Sequence, residues 1–238
     1  MFGKRLINTG GAVCPSDVTD LFEDGSGMAL YRLNSNADDS SGNYNGTATD
    51  VTYVSGYINN AGSFNGSSSG IATLLMTNNW ISNYNDKNVN FSYSCWFKNI
   101  TNDSEDRRII SLGMSSEPYQ YIGIKQYLTE LRFEWWAGLI YGPQKGGSVK
   151  ATMPIDNNWH NIVCIRESSY LKMYLDGVYI GQTQQTINLT ISTSIPLVIG
   201  ANDSNLSFNF NGSIDQVRIF DRAITAEEVT TLYNEVAC

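Results

Sequence analysis

Short stretches of alternating apolar and polar residues recur along most of the chain, and they constrain its fold more than any other feature. Two clear examples are ELRFEWW at 130–136 and LKMYLDGVYIG at 171–181. A period of two places successive side chains on opposite faces of an extended strand. Clusters of Gly, Asn, Asp and Ser separate these stretches at fairly even spacing. The pattern therefore predicts an all-β fold in which two antiparallel sheets form a sandwich.

The strand segments and turns can be placed individually. Asp176-Gly177 lies between two alternating runs, and both residues tolerate positive φ, which predicts a two-residue hairpin. Residues 34–50 are predicted to be a loop, because Asn, Asp, Ser and Gly dominate them. Strands are predicted within 28–33, 51–54, 63–74, 91–100, 107–113, 119–125, 130–138, 161–167, 171–183, 196–201 and 210–220.

Both ends of the chain differ from this strand pattern. Residues 1–27 are irregular and are predicted to be an arm, with the domain spanning 28–238. Because the arm lacks alternating apolar residues, its deletion as far as residue 26 is expected to leave a folded sandwich. Near the other end, Thr225 and Glu228 form a capping box for one short helix. Its apolar face is predicted to consist of Val229, Leu232, Tyr233 and Val236.

Composition limits the partners. The 238 residues carry a net charge of -8, and only 16% of them are charged, against about 25% in average proteins. Because the chain is negatively charged, it is not expected to bind nucleic acid or anionic membranes. No apolar run approaches the length of about 20 residues needed to span a bilayer, and the first residues lack the apolar core of a signal peptide. The polar, uncharged composition is typical of proteins that work outside cells.

Four segments together resemble the laminin G-like, concanavalin A-like jelly rolls, which include the pentraxin relatives. They are an opening strand with an Asp/Ser/Gly-rich loop at 29–71, a Trp-bearing strand at 91–98, a Trp-His strand and hairpin at 157–181, and a closing strand and helix at 212–233. They occur in the order of that family. The resemblance implies a jelly-roll sandwich, and it implies that His160 begins a strand as part of the scaffold. The arm with such a body also resembles structural proteins of tailed marine phages.

Catalytic chemistry finds little support in the residues. His160 is the single histidine, and Cys164 lies about 13 Å along the same predicted strand, too far for a nucleophile–base pair. Glu130 and Glu134 share a strand face, as the two carboxylates of a glycosidase must. The third acid and flanking pattern of the β-glucanase members of the family are absent from this stretch. The chain is therefore predicted not to be an enzyme, with a glycan-cleaving enzyme of the same fold as an alternative.

Aromatic residues point to glycan binding. Sugar rings present apolar C–H faces that stack on exposed aromatic rings. In the strand 130–138, Leu131, Phe133 and Trp135 should face the core, and the opposite face carries Arg132, Glu134 and Trp136. The strand 119–125 continues one face through Tyr119, Tyr121 and Lys125, and Tyr127 follows with the same spacing. The predicted glycan-binding residues are Trp136, Arg132, Glu134, Tyr119 and Tyr121.

Calcium is the candidate cofactor. Asp38, Asp39 and Asn43 lie in a Gly-containing loop and supply the oxygen ligands that calcium prefers. The resemblance adds Asp215, which matches an acid at the start of the last strand of the family. The cysteines Cys14, Cys95, Cys164 and Cys238 lack the short spacing of a zinc site. Cys95 and Cys164 are predicted to be buried thiols, while Cys14 and Cys238 would meet only if the chain ends do.

Together these features predict a non-enzymatic structural or adhesion protein of a phage virion, made in the host cytoplasm. The arm would attach the protein to other virion subunits, copies of the chain are candidate partners for each other, and the sandwich would bind a cell-surface glycan. The alternative is a soluble, extracellular carbohydrate-binding module of a bacterium. Asn-x-Ser/Thr triplets recur along the chain, for example at Asn45, Asn65 and Asn211, and they are harmless where no glycosylation machinery acts.

Overall fold

The computed structural model describes residues 15–73, 85–99, 105–113, 119–138, 144–192, 195–203 and 205–237. These residues form a two-sheet antiparallel sandwich with a helix near the C-terminus, as predicted. The strands are β1 (Gly27–Tyr31), β2 (Gly46–Thr49), β3 (Thr52–Ser55), β4 (Asn60–Asn65), β5 (Gly70–Thr73), β6 (Phe91–Asn99), β7 (Asp106–Gly113), β8 (Tyr119–Tyr127), β9 (Glu130–Gly138), β10 (Gln144–Thr152), β11 (His160–Glu167), β12 (Tyr170–Leu175), β13 (Val178–Gln184), β14 (Leu197–Ile199) and β15 (Asn211–Phe220).

The two sheets have different outer faces. The first sheet, called sheet A, has the order β13-β12-β11-β6-β15-β4-β3, with β1 paired to β15. The second, sheet B, has the order β10-β9-β8-β7-β14-β5-β2. The inner faces pack into one core that includes Phe91, Cys95, Phe133 and Trp135. No helix in the described part of the chain is long and apolar enough to cross a membrane.

The helix, α1 (Ala226–Tyr233), lies on the outer face of sheet A. Thr225 caps it, and the reciprocal hydrogen bonds of the capping box with Glu228 are both present. Val229 and Leu232 are buried against Val163, Ile165, Phe220 and Ile224. Val236 lies beyond the end of the helix and is 67% exposed, so the predicted apolar face is shorter than expected.

The described part of the arm also packs against sheet A. Arg218 donates hydrogen bonds to the carbonyl groups of Val18 (2.5 Å) and Pro15 (3.0 Å), and the rings of Phe22 and Phe220 are 5.2 Å apart. Leu21 and Phe22 pack against the cluster beneath α1. The expectation that residues up to 26 add nothing to the core therefore has to be revised, because residues 15–26 cover apolar side chains of the domain.

Two strands were not predicted. β2 lies within the segment 34–50, which was predicted to be a loop, and β10 was not assigned at all. Both are edge strands of sheet B, at opposite ends of its strand order. Their sequences, GTAT and QKGGSVKAT, are rich in small and polar residues, so they lack the alternating apolar pattern on which the prediction relied. An edge strand needs fewer buried side chains, since only one of its sides is paired.

Candidate functional site

The outer face of sheet B is the face on which the predicted glycan-binding residues lie. In β9, Leu131, Phe133 and Trp135 are fully buried in the core, so the alternation predicted for this strand is confirmed. The side chains between them point to the outer side, and Arg132 and Trp136 are half-buried there. On sheet A, α1 and residues 21–22 pack against part of the outer face.

The strand register brings the predicted residues together. Tyr121 of β8 pairs with Trp136 of β9, and Lys125 pairs with Arg132. Tyr119 pairs with Gly138 at the end of the same ladder. Because paired residues in neighbouring strands share a face, Trp136, Arg132, Glu134, Tyr121 and Tyr119 lie on one surface. Their role in binding a glycan stays a prediction.

Gly146 of β10 determines how Trp136 lies on this surface. Gly146 pairs with Trp136. A β-carbon added at Gly146 would be 2.5 Å from Cε3 and 3.1 Å from Cζ3 of the indole ring. The six-membered ring therefore lies over the glycine, with no side chain beneath it. One face of the ring therefore lies against the sheet, and the side chain as a whole is half-buried.

A charged cluster lies beside the indole ring. Glu134 is only 6% exposed, and it accepts a hydrogen bond from the Tyr121 hydroxyl. Lys125 is 5% exposed, with its Nζ 3.0 Å from Glu134 and 3.4 Å from Asp106. Burial raises the pKa of Glu134 to about 7 and lowers the pKa of Lys125 to about 8. Arg108 completes the cluster, 2.7 Å from Asp106.

Arg108, Asp106 and Gly146 were not identified from the sequence. The i, i+2 spacing of Asp106 and Arg108 at the start of β7 places them on one face, and this signal was available. Their position beside Glu134 depends on the register of β7 against β8, which includes an irregularity between Arg108 and Ile110. Gly146 was missed because β10 was missed.

The three predicted calcium ligands of the 34–50 segment have different surroundings. Asp39 is buried and accepts hydrogen bonds from the N–H groups of Leu30 (2.8 Å), Ser41 and Tyr44 (both 3.2 Å). Asp38 instead accepts from the side chain of Asn36, and Asn43 is exposed. The hydrogen bonds of Asp39 thus connect its side chain to the backbone of β1 and of the loop.

Asp215 is fully buried in β15, where it accepts from the N–H groups of Ile58 (2.9 Å) and Gln216 (2.7 Å). Across the described ranges, no group of three or more His, Cys, Asp or Glu side chains is placed to hold a metal ion. Calcium binding by Asp38, Asp39, Asn43 or Asp215 stays a prediction.

His160 is the first residue of β11 and joins two loops. Its Nδ1 lies 2.7 Å from Asp176, in the turn between β12 and β13, and its Nε2 lies 3.0 Å from Asp156. Burial lowers the pKa of His160, but hydrogen bonds to Asp176 and Asp156 outweigh that effect and raise it. Both ring nitrogens therefore bond to carboxylates of neighbouring loops, which is a structural role.

The cysteines fall into two groups. Cys95 and Cys164 are free and buried, as predicted, and burial raises the pKa of both thiols. Such thiols are poor nucleophiles at neutral pH. Cys14 and Cys238 lie outside the described residues, and so does their possible pairing.

A family model supports the fold. The model described as the concanavalin A-like lectin/glucanases superfamily matches residues 65–230. The chain belongs to this family, as its four sequence segments indicated. No curated protein matches the chain.

Several solved structures are similar to the chain. Domain 4 of AbnA, a GH43 extracellular arabinanase from Geobacillus stearothermophilus determined in complex with arabinotriose, is 22% identical with a TM-score of 0.67, covering 87% of this chain and 97% of that domain. The botulinum neurotoxin serotype D binding domain is 17% identical with a TM-score of 0.63, covering 87% of this chain and 51% of the toxin chain.

A structure of botulinum neurotoxin type C, whose cell entry is described as dependent on two ganglioside molecules, is 16% identical with a TM-score of 0.64, covering 88% of this chain and 51% of the toxin chain. The chain thus spans about half the length of the toxin structures that it matches. At these identities the likeness establishes the fold.

Proposed function

We propose that the chain is a non-enzymatic carbohydrate-binding domain that holds a saccharide on the outer face of sheet B. The observation that carries this proposal is the Trp136 ring, which lies over Gly146 beside a cluster of polar groups. A half-buried indole on an open sheet face provides a flat apolar surface for the C–H face of a sugar. Arg132 lies half-buried on the same face and offers a donor for hydroxyl groups, while Glu134 holds Arg132 in place. Arabinotriose and gangliosides, named with similar structures, support the same class of ligand.

Adjacent tryptophans make the direct test. Trp136→Ala should lower saccharide affinity about tenfold or more, which corresponds to at least about 1.4 kcal/mol, and should leave the melting temperature nearly unchanged. Trp135→Ala should instead destabilise the protein by about 3–5 kcal/mol, because Trp135 is fully buried. Thermal melts and glycan-array binding of both variants check this. A Trp136→Ala protein that is folded and binds as well as the parent contradicts the proposal.

We further propose that the domain is part of a phage virion. The arm would attach it to other subunits, and the outer face of sheet B would bind a glycan of the host cell. The low charged fraction, 16%, supports a protein that works outside cells. Co-sedimentation with phage particles tests this setting. A protein that binds glycans but never co-sediments with particles is better described as a soluble bacterial module.

A glycan-cleaving enzyme is the second candidate, because burial raises the pKa of Glu134 to about 7, near the value that suits a general acid. The surroundings of Glu134 count against a catalytic role, since it is only 6% exposed and Tyr121, Lys125 and Arg132 all contact its oxygens. An assay for the release of reducing ends from laminarin, agar and alginate distinguishes an enzyme from a binding domain. Hydrolysis that disappears in Glu134→Gln would establish the enzyme.

A further inference from the structure

Lys125 of β8 lies between two carboxyl groups that come from the neighbouring strands of sheet B. Asp106 belongs to β7 and Glu134 to β9. The Lys125 Nζ is 3.4 Å from Oδ2 of Asp106 and 3.0 Å from Oε1 of Glu134. Lys125 and Glu134 are buried, and Asp106 exposes only 21% of its side chain. The fold therefore holds an amine and two carboxyl groups in contact and largely away from water.

Two tyrosines complete the surroundings of the amine. The ring centres of Tyr121 and Tyr127 lie 5.4 Å and 4.9 Å from the Lys125 Nζ. The Tyr121 hydroxyl accepts a hydrogen bond from Lys125 at 3.0 Å and donates one to Glu134. Tyr121 thus connects the amine to Glu134 and, with Tyr127, shields it from solvent.

The two oxygens of Asp106 have different partners. Oδ1 accepts a hydrogen bond from the Arg108 guanidinium group at 2.7 Å, and Oδ2 faces Lys125. A nucleophile that adds to the carboxyl carbon places negative charge on the carboxyl oxygens. A guanidinium group already bound to Oδ1 stabilises that charge as it develops.

Burial prepares Lys125 and Glu134 for proton transfer. It lowers the pKa of Lys125 to about 8 and raises the pKa of Glu134 to about 7. Because the two values are so close, a proton passes from the Lys125 ammonium group to Glu134 at little cost. The neutral amine that remains is a nucleophile, which an ammonium group is not.

We propose that Lys125 and Asp106 form an intramolecular isopeptide bond, and that Glu134 carries the protons in its formation. The product is an amide between the two side chains, and it joins β7 to β8 on the outer face of sheet B. This modification goes beyond saccharide binding and does not depend on it.

The reaction is a condensation that releases one water molecule. The Nζ of Lys125 attacks the carboxyl carbon of Asp106, so an N–C bond forms and the bond from that carbon to Oδ2 breaks. Of the three protons on the ammonium group, one stays on the amide nitrogen and two leave with Oδ2 as water. Glu134 accepts each of these two protons from the nitrogen and delivers it to Oδ2, and it ends in the state in which it began.

The folded chain supplies the conditions that this condensation needs. Groups held in contact within one fold react without the entropic cost of meeting. The exclusion of water disfavours hydrolysis of the amide. A bond between residues 106 and 125 closes a ring in the chain, which restricts the unfolded state as a disulfide does. The linked chain should therefore melt at a higher temperature than a chain that cannot form the bond.

Mass spectrometry of the full chain, incubated folded at neutral pH and then denatured, is the direct test. The linked chain should be lighter than its sequence by one water molecule. Trypsin releases residues 99–107 and 109–125 separately from an unlinked chain. From the linked chain it should release 99–107 joined to 109–132, because trypsin does not cleave after an acylated lysine.

Two results would overturn the inference. One is a chain that keeps the full mass of its sequence after incubation. The other is a loss of water confined to a single tryptic peptide, as dehydration at Asp24-Gly25 or Asp176-Gly177 would produce.

Two glutamates of the same strand provide matched variants for the role of the proton carrier. Glu134→Gln should slow bond formation about a hundredfold or more, because a positioned acid–base group contributes at least this much. Glu130→Gln is the control, since Glu130 forms its ion pairs with Arg132 and Lys150. It should form the bond at the rate of the parent. Equal rates in the two variants would contradict the assignment of Glu134.

Variants of the two linked residues give a signature that an ion pair cannot produce. Asp106→Asn should form the same amide with release of ammonia, so its mass should fall by one ammonia molecule and not by one water molecule. Lys125→Arg should keep its full mass. A Lys125→Arg chain whose peptides are still joined at Asp106 would show that another residue supplies the nucleophile.

Discussion

At the scale of single residues, substitutions of two adjacent glycines are expected to have different effects, one on saccharide binding and the other on stability. Gly146→Ala places a β-carbon 2.5 Å from Cε3 of Trp136, so the indole ring must shift. We expect weaker saccharide binding with a free energy of unfolding within about 0.5 kcal/mol of the parent, because this side of β10 is exposed. Gly147→Ala places its β-carbon 2.9 Å from Nε1 of Trp135 and should destabilise the fold instead. Denaturant melts and a binding titration of both variants distinguish the two effects.

Asp38 and Asp39 form a second adjacent pair, which also bears on calcium. Asp39→Ala leaves the N–H groups of Leu30, Ser41 and Tyr44 without their acceptor, so it should cost about 3 kcal/mol or more. Asp38→Ala should change stability by less than about 0.5 kcal/mol, because Asp38 is exposed.

The calcium prediction has its own test in the melting temperature of the parent chain with calcium chloride and with EDTA. A rise with calcium that Asp38→Ala abolishes would confirm the site. Equal melting temperatures in the two solutions would contradict the calcium prediction.

At the scale of elements, the capping box of α1 is a local device with a measurable effect. The Thr225 hydroxyl accepts from the N–H of Glu228, and the Glu228 side chain accepts from the N–H of Thr225. Thr225→Ala should lower the free energy of unfolding by about 1 kcal/mol. Thr230→Ala in the same helix is the control, since its hydroxyl bonds back to the Ala226 carbonyl and its loss should be neutral. Equal effects of the two changes would mean that the cap contributes nothing special.

The elements that could be predicted from the sequence are those specified by local chemistry. Asp176 and Gly177 have φ of 52° and 75°, as the hairpin prediction required. β9 has the predicted bounds, because three of its side chains enter the core at a period of two. β2 and β10 were not predicted because their sequences lack an alternating apolar pattern. They form strands through pairing with neighbouring strands, which local sequence does not reveal.

The same distinction applies to the candidate site. The common face of Arg132, Glu134 and Trp136 follows from spacing within one strand. The contacts of that face with Arg108 and Gly146 depend on register between strands, which local sequence does not specify. The ion-pair cluster around Glu134 therefore became visible only in the folded chain.

At the scale of the whole molecule, the N-terminal segment has two parts with different expected roles. Deletion of residues 1–14 removes none of the contacts described above, and this truncation gives the reference melting temperature. Deletion of residues 1–26 removes Phe22 from Phe220 and two carbonyl acceptors from the buried Arg218, and it should lower stability by several kcal/mol. Thermal melts of the two truncations measure this. Equal stability of both would show that residues 15–26 do not support the sandwich.

Stability should also depend on pH in a definite direction. Burial raises the pKa of Asp215 to about 7. Between about pH 4 and pH 7 the folded state then keeps a proton that the unfolded state has lost, so the free energy of unfolding falls as pH rises. The raised pKa of His160 acts in the same direction, because its contribution is present below about pH 6.5 and is lost as pH rises through the folded value.

Other carboxylates set the acidic limit. The hydrogen bond from Ser26 lowers the pKa of Asp24, and that from Arg222 lowers the pKa of Glu228, so their contribution is lost as pH falls below about 4. The melting temperature should therefore be highest near pH 5 and lower at pH 7.5. Asp215→Asn removes one titrating group, so the difference between these two pH values should shrink even if the variant is less stable at both. Scanning calorimetry of the parent and the variant at pH 5 and 7.5 measures it. A parent that is more stable at pH 7.5, or a variant with an unchanged difference, would show that the buried carboxyl of Asp215 does not govern this dependence.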